Sequence, residues 1–245
     1  MITLKDKNIL VTGASSGIGR QIAITASELG ACVTIIGRNV ENLQETISLL
    51  KGDGHKMFSV DISVTDDLEK LILGSSSYDG VVFNAGVVEY LPVKFLNPSK
   101  IDSVFSVNFE SNVVLSQKLI KNKLLNKNGS LVFVSSISSK LGVPGTAMYS
   151  ASKAALSSFS KVLASELASQ GIRSNSVCPG IVKTAMTDKA SDVVSEEELK
   201  KSALEYPLGY GEPVDVAGLV MYLLSDISKW MTGSDLIIDG GFTLK

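Results

Sequence analysis

Tyr149 and Lys153 stand four residues apart in Met-Tyr-Ser-Ala-Ser-Lys-Ala-Ala-Leu. That stretch can be helical throughout, and residues four apart on a helix share a face. A phenol with an ammonium beside it is an acid–base pair, because the cation favours the phenolate. Such a pair needs no histidine, and the chain has only His55, in a Gly-Asp-Gly-His-Lys turn. One histidine excludes a site of several His ligands, and Cys32 and Cys178 lack the spacing of a zinc knuckle. A Ser-His-Asp mechanism would have to run through His55. The two cysteines lie in apolar runs and read as buried thiols of a reducing compartment.

Six tyrosines and twenty lysines make a Tyr-x-x-x-Lys pair cheap by chance, and Tyr90 with Lys94 is a second one. Pro92 lies between those two; it lacks an N–H and disfavours a helix, so they need not share a face. Context singles out Tyr149. Ser136 lies thirteen residues earlier, directly after the apolar run Leu131-Val132-Phe133-Val134. The C-terminal end of a strand is where open α/β sheets bind ligands. Asn108 lies within a long helical pattern, where Asn is locally unfavourable and so suggests a tertiary use. Ser138 reads as one more hydroxyl in a serine-rich loop.

These residues must be held by elements. Apolar runs at 8–12, 32–36, 57–60, 80–83, 130–134, 174–177 and 236–238 alternate with helical patterns near 18–29, 40–50, 65–73, 98–122, 150–169 and 213–224. Strands apolar throughout, separated by helices, imply an α/β fold. We expect one Rossmann-type domain over 1–245, a doubly wound parallel sheet of about seven strands with helices on both faces. A chain of 245 residues buries about 70% of its unfolded surface, ample for a core without disulfides. Residues 185–211 are polar, rich in Lys, Ser and Glu, and too long for an ordinary connection, so they read as a substrate lid. The net charge of −2 gives no basic excess for nucleic acid. The apolar runs are far short of a membrane span. No signal pattern opens the chain, so a cytoplasmic location is expected.

The first strand runs into Thr12-Gly13-Ala14-Ser15-Ser16-Gly17-Ile18-Gly19, and a helix follows. Glycines allow a tight turn and let backbone N–H groups approach a pyrophosphate at the helix N-terminus. The second strand ends Ile36-Gly37-Arg38-Asn39, with no Asp or Glu. An arginine there accommodates the 2′-phosphate of NADP, and its planar guanidinium suits a phosphate. Asp61 could accept from an adenine amino group, with Ile62 against the ring, or could cap the following helix. Asn84-Ala85-Gly86 fits a close backbone approach to a cofactor.

With its G-x-x-x-G-x-G spacing, the chain resembles the short-chain dehydrogenase/reductase family over essentially its whole length. The matching elements are Thr12 to Gly19, Arg38, Asp61, Asn84 to Gly86, Asn108, Ser136, Tyr149, Lys153, Pro179-Gly180 and Asp239-Gly240-Gly241. Pro207 to Pro213 and Met231-Thr232-Gly233 make it similar in particular to the 3-oxoacyl-(acyl carrier protein) reductase group. The resemblance implies an NADP-dependent enzyme interconverting a ketone and a secondary alcohol, with Asn108, Ser136, Tyr149 and Lys153 as the catalytic set. Tyr149 would exchange a proton with the substrate oxygen, and Ser136 would hold that oxygen. Lys153, with the positive nicotinamide, would lower the phenol and bond the nicotinamide ribose; Asn108 would hold a water linking Lys153 to solvent. Pro179, Gly180, Ile181 and Val182 would meet the nicotinamide carboxamide, and Thr184 a phosphate.

Several positions depart from the family pattern. Relatives usually have Asn where Phe83 stands, and many NADP users have a basic residue at the position of Ser16. Gln170 and Tyr210 replace arginines common in reductases that receive an acidic carrier, leaving Lys127 as a possible contact. The open readings are a 3-oxoacyl-thioester reductase, a sugar, steroid or other small-alcohol dehydrogenase, and a nucleotide-sensing regulatory protein. An enoyl reductase of this fold would space Tyr and Lys differently. The resemblance also implies a homotetramer, with Ala154, Ala155, Phe159 and Val162 offering apolar surface.

Overall fold

The structure is a computed structural model that describes residues 2–187 and 201–244. Seven parallel strands form one sheet in the order β3-β2-β1-β4-β5-β6-β7. They are β1 (Asn8–Thr12), β2 (Cys32–Gly37), β3 (Lys56–Ser59), β4 (Tyr78–Phe83), β5 (Leu125–Val134), β6 (Arg173–Pro179) and β7 (Asp235–Ile238). The chain winds outward from β1 to β3, then returns to pair β4 on the other side of β1. That reversal opens a crevice beyond the C-terminal ends of β1 and β4, where sheets of this kind bind ligands.

Side chains alternate across a strand, and the two faces separate accordingly. Ile9, Val11, Val33 and Ile35 pack under α1 (Gly17–Glu28), α2 (Val40–Leu49) and α7 (Pro213–Leu224). Leu10, Ile36, Val81, Leu131 and Phe133 pack under α3 (Thr65–Gly74), α5 (Ser111–Lys121) and α6 (Ala147–Glu166). The expected doubly wound α/β architecture is thereby present.

The pattern over 98–122 reads as one helix, but the structure divides it. α4 (Pro98–Phe105) passes through a π-helical turn at Ser106–Glu110 before α5 begins. The wider turn places Asn108 wholly inside. The Ser111 hydroxyl and the Asn112 amide donate to the carbonyls of Val107 and Asn108, at 2.7 and 2.8 Å. Polar residues that look misplaced in a helix here service the backbone of a local distortion.

Three expectations about single residues are refined. Phe83 is buried and stacks on Phe133 at 4.3 Å, so the β4 terminus is braced by rings. Of the apolar residues on α6, Val162 and Ala154 are exposed, whereas the Phe159 ring packs edge-on to Phe109 and Phe133 inside. His55 does more than occupy a turn: its Nδ1 accepts from the Val33 N–H at 3.0 Å, which leaves Nε2 to donate to the Lys51 carbonyl at 3.0 Å. The Cys32 thiol donates to the Gly54 carbonyl beside it. Of the expected lid over 185–211, residues 188–200 lie outside the described residues. Among the described residues no helix is long and apolar enough to cross a membrane, and no cluster of His, Cys, Asp and Glu could hold a metal.

Candidate active site

A cavity of about 470 Å³ follows the crevice from the glycine turn to Tyr149. At its first end the turn packs tightly. Gly13 has φ +65°, and a Cβ there would lie 2.8 Å from Ala85 Cα. A Cβ on Gly19 would lie 2.3 Å from the Gly13 carbonyl oxygen, so α1 can approach the turn only without a side chain. Thr12 Oγ1 accepts the N–H groups of Asn84 and Ala85, each at 2.9 Å. The Asn84 amide donates to the carbonyls of Thr12 and Gly13. Asn84 thus ties the loop after β4 to the glycine turn, and Gly19 serves packing; Ser15, Ser16, Gly17 and Ile18 line the cavity itself.

Two arginines stand near this end, and only one is available. Arg20 forks onto Glu45 at 2.8 and 2.7 Å and donates to the Ser15 carbonyl. Arg38 is two-thirds exposed, with Asp61 at 3.9 Å as a loose partner, and both border the cavity. Asn39 does not border it; its side chain accepts from Asn42 N–H at 2.8 Å and caps α2. Asp61 does not cap α3, because its Oδ1 accepts from the backbone and hydroxyl of Ser63, at 3.0 and 2.6 Å. Ile62 lies buried next to it on the cavity wall.

At the other end, Ser136 sits just past β5 and Tyr149 and Lys153 on the first turns of α6. The Lys153 Nζ lies 5.8 Å from the Tyr149 ring centroid. It donates to the Val134 carbonyl at 2.7 Å, and Gly86 leaves it room: a Cβ there would stand 3.3 Å from Nζ. Ser136 Oγ accepts from the Ser138 N–H at 3.1 Å, so the contact with residue 138 is made by its backbone. Ser135, which sequence reasoning missed, donates to the Lys153 carbonyl at 2.9 Å and accepts from the Ser157 hydroxyl.

Asn108 is buried behind the pair rather than exposed to the cavity. Its Oδ1 accepts from Val87 N–H at 2.7 Å, and its amide donates to the Val87 carbonyl and to Ser152 Oγ, at 2.9 and 3.0 Å. Ser152 in turn donates to the Tyr149 carbonyl at 2.8 Å. The side chain is fully engaged as a brace between the loop after β4 and α6. Ser152 and Thr12 carried one legible signal, a polar residue on an otherwise inward-facing position.

Burial governs the two titrating groups. It pushes Tyr149 up to about 12, with the Ser136 hydroxyl acting in the opposite direction. It pushes Lys153 down to about 8. In the cofactor-free chain desolvation dominates the phenol, and the Lys153 ammonium donates to the Val134 carbonyl.

At the end of β6 and just beyond it, Pro179, Gly180, Val182 and Thr184 border the cavity. Ile181 turns its N–H away, onto the Tyr206 hydroxyl at 3.3 Å.

A parallel sheet with this crevice, glycine turn and Ser-Tyr-Lys set defines a nicotinamide-dependent oxidoreductase, and the chain belongs to the short-chain dehydrogenase/reductase family. A family model described as "Enoyl-(Acyl carrier protein) reductase" matches residues 13–243. The chain is 36% identical over 245 residues to the 3-oxoacyl-(acyl-carrier-protein) reductase FabG of Rickettsia conorii, covering 100% of both. It is 36% identical over 247 residues to an L-xylulose reductase of Caenorhabditis elegans, covering 97% of this chain and 96% of that one. A solved dehydrogenase/reductase from Sinorhizobium meliloti 1021 superposes with a TM-score of 0.88 at 32% identity, covering 99% and 97% of the two chains.

Proposed function

We propose that the protein is an NADPH-dependent reductase that converts a ketone to a secondary alcohol, with a 3-oxoacyl thioester as the first substrate class. The observation that carries this reading is geometric: the Tyr149 phenol stands on α6 beside Lys153, and Ser136 lines the same cavity. The dinucleotide, when bound, supplies the hydride. The residues fit it: one cavity runs from the glycine turn to Lys153, and Arg38, two-thirds exposed and only loosely paired with Asp61, stands at the adenosine end. Arg38 favours the 2′-phosphate of NADP over an unphosphorylated ribose; Gly13, Ser15, Ser16, Gly17 and Ile18 would receive the pyrophosphate.

Tyr149 donates its phenolic proton to the substrate oxygen, and the Ser136 hydroxyl donates a second hydrogen bond to it. As the proton leaves, negative charge gathers on the phenolate. The Lys153 ammonium, held in a dry site, stabilises that charge. The substrate binds in the cavity against Tyr149 and Ser136.

A second reading is a small-alcohol or sugar dehydrogenase. The absence of arginine at Gln170 and Tyr210 favours it, since an acidic carrier is received by cations. We place the enzyme in the cytoplasm as a homotetramer without a nucleic acid or membrane partner. Nicotinamide absorbance with an acetoacetyl thioester and a panel of ketoses, each with NADPH and NADH, separates these readings. Faster turnover of ketoses than of the thioester selects the second.

A further inference from the structure

Tyr206 has no part in the reaction set, yet its position behind the loop after β6 is specific. Its ring is buried, stacks on Phe242 at 4.6 Å and meets Tyr210 edge-on at 5.1 Å. The ring edge lies against Gly180, where a Cβ would come within 2.9 Å of Tyr206 Cε1. Its hydroxyl accepts the Ile181 N–H at 3.3 Å. The 180–181 peptide is therefore fixed from behind by both a ring edge and a hydrogen bond.

The segment carrying Tyr206 is itself tied down. Lys183 N–H donates to the Gly211 carbonyl at 2.9 Å, and Gly211 N–H donates back to the Ile181 carbonyl at 3.0 Å. Leu208 N–H donates to the Gly240 carbonyl at 3.0 Å. Asp239 accepts from Gly241 and Thr243 N–H, at 3.0 and 2.8 Å, and so holds the turn that presents Phe242. With Ile181 N–H directed backward, Gly180, Val182 and Thr184 are the positions left facing the cavity.

We propose that Tyr206 is a positioning residue for the nicotinamide half of the cofactor, acting through the Ile181 N–H to orient the 180–184 backbone. The proposal rests on the cofactor reading above. It predicts an effect confined to one half of the dinucleotide, which a general loss of structure would not give.

The test is Tyr206→Phe, which removes the hydroxyl and keeps the ring. Affinities of wild type and variant are measured for NADPH and for adenosine 2′,5′-bisphosphate, which carries only the adenosine half. One neutral hydrogen bond corresponds to about a three- to ten-fold change in affinity. NADPH binding weakened by that factor, with fragment binding and thermal midpoint unchanged, is the expected result. Equal weakening of both ligands, or no change in either, overturns the proposal and leaves the cofactor reading standing. Wild-type protein that binds neither ligand overturns the cofactor reading, and the proposal with it.

Discussion

The Lys153 ammonium donates to the Val134 carbonyl at 2.7 Å, from within the cavity wall and not from its mouth. The last carbonyl of β5 thus fixes the Lys153 cation beside Tyr149. The cost of burying that cation appears in its titration, since desolvation pushes Lys153 down to about 8 from the ordinary 10.5.

Reduction should lose rate in alkali as Lys153 loses its charge. Below about 8 the ammonium is present and stabilises the developing phenolate; above it the amine is neutral and does not. The pH profile of kcat/KM reports groups of the free enzyme, so it should be flat at neutral pH and fall through about 8. Lys153→Met should lower the plateau and abolish that limb. Stability carries the opposite sign. The unfolded lysine binds more protons than the folded one between about 8 and 10.5, so its contribution to stability rises with pH across that window. Denaturant melts at several pH values should show the Lys153→Met variant lacking this rise.

Removing Asn108 should destabilise the protein as well as slow it. Asn108→Leu leaves the Val87 N–H and carbonyl without their partner in a dry interior and takes from the Ser152 hydroxyl one of its two bonds. Each buried polar group left unpaired costs about 1–3 kcal/mol, and relaxation recovers part of this. A loss of about 3 kcal/mol in urea unfolding is expected. A variant as stable as wild type but slow would assign Asn108 to the chemistry and not to the brace.

Cofactor preference should reside in Arg38 and not in Arg20. A charge-assisted contact contributes about 1.5–3 kcal/mol, so Arg38→Ser should weaken NADPH about ten- to a hundred-fold and NADH far less. Arg20→Gln should leave the NADPH-to-NADH ratio unchanged, because its fork is occupied by Glu45. Titration of protein fluorescence with both dinucleotides measures the two ratios.

Most of the scaffold was legible because its signals are local. Apolar strands separated by amphipathic helices specify a covered parallel sheet, and the seven expected strands match within a few residues, apart from the longer start of β5. The glycine turn, Arg38, Ser136, Tyr149 and Lys153 could be singled out from their spacing taken together with their places at the ends of apolar strands. What stayed hidden depends on contacts distant in sequence. The π turn at Ser106–Glu110 breaks a pattern that reads as one helix, and only its tertiary bonds show Asn108 to be a brace. Asn39 and Asp61 are short polar residues that serve their own turns as readily as a ligand, and periodicity does not tell these uses apart. The high position of the Tyr149 phenol follows from burial, which residue spacing does not report. Tyr206 meets Ile181 across 25 residues of sequence, so no local pattern announced it.

The central claim is that Tyr149 delivers the proton, with Ser136 and Lys153 orienting the substrate and stabilising the phenolate. Single-turnover oxidation of bound NADPH by an acetoacetyl thioester, compared between wild type and Tyr149→Phe, tests it most directly. The account predicts a loss of about 10²–10⁴-fold in the reduction step, with NADPH affinity kept. A Tyr149→Phe enzyme that reduces the thioester at the wild-type rate would contradict it.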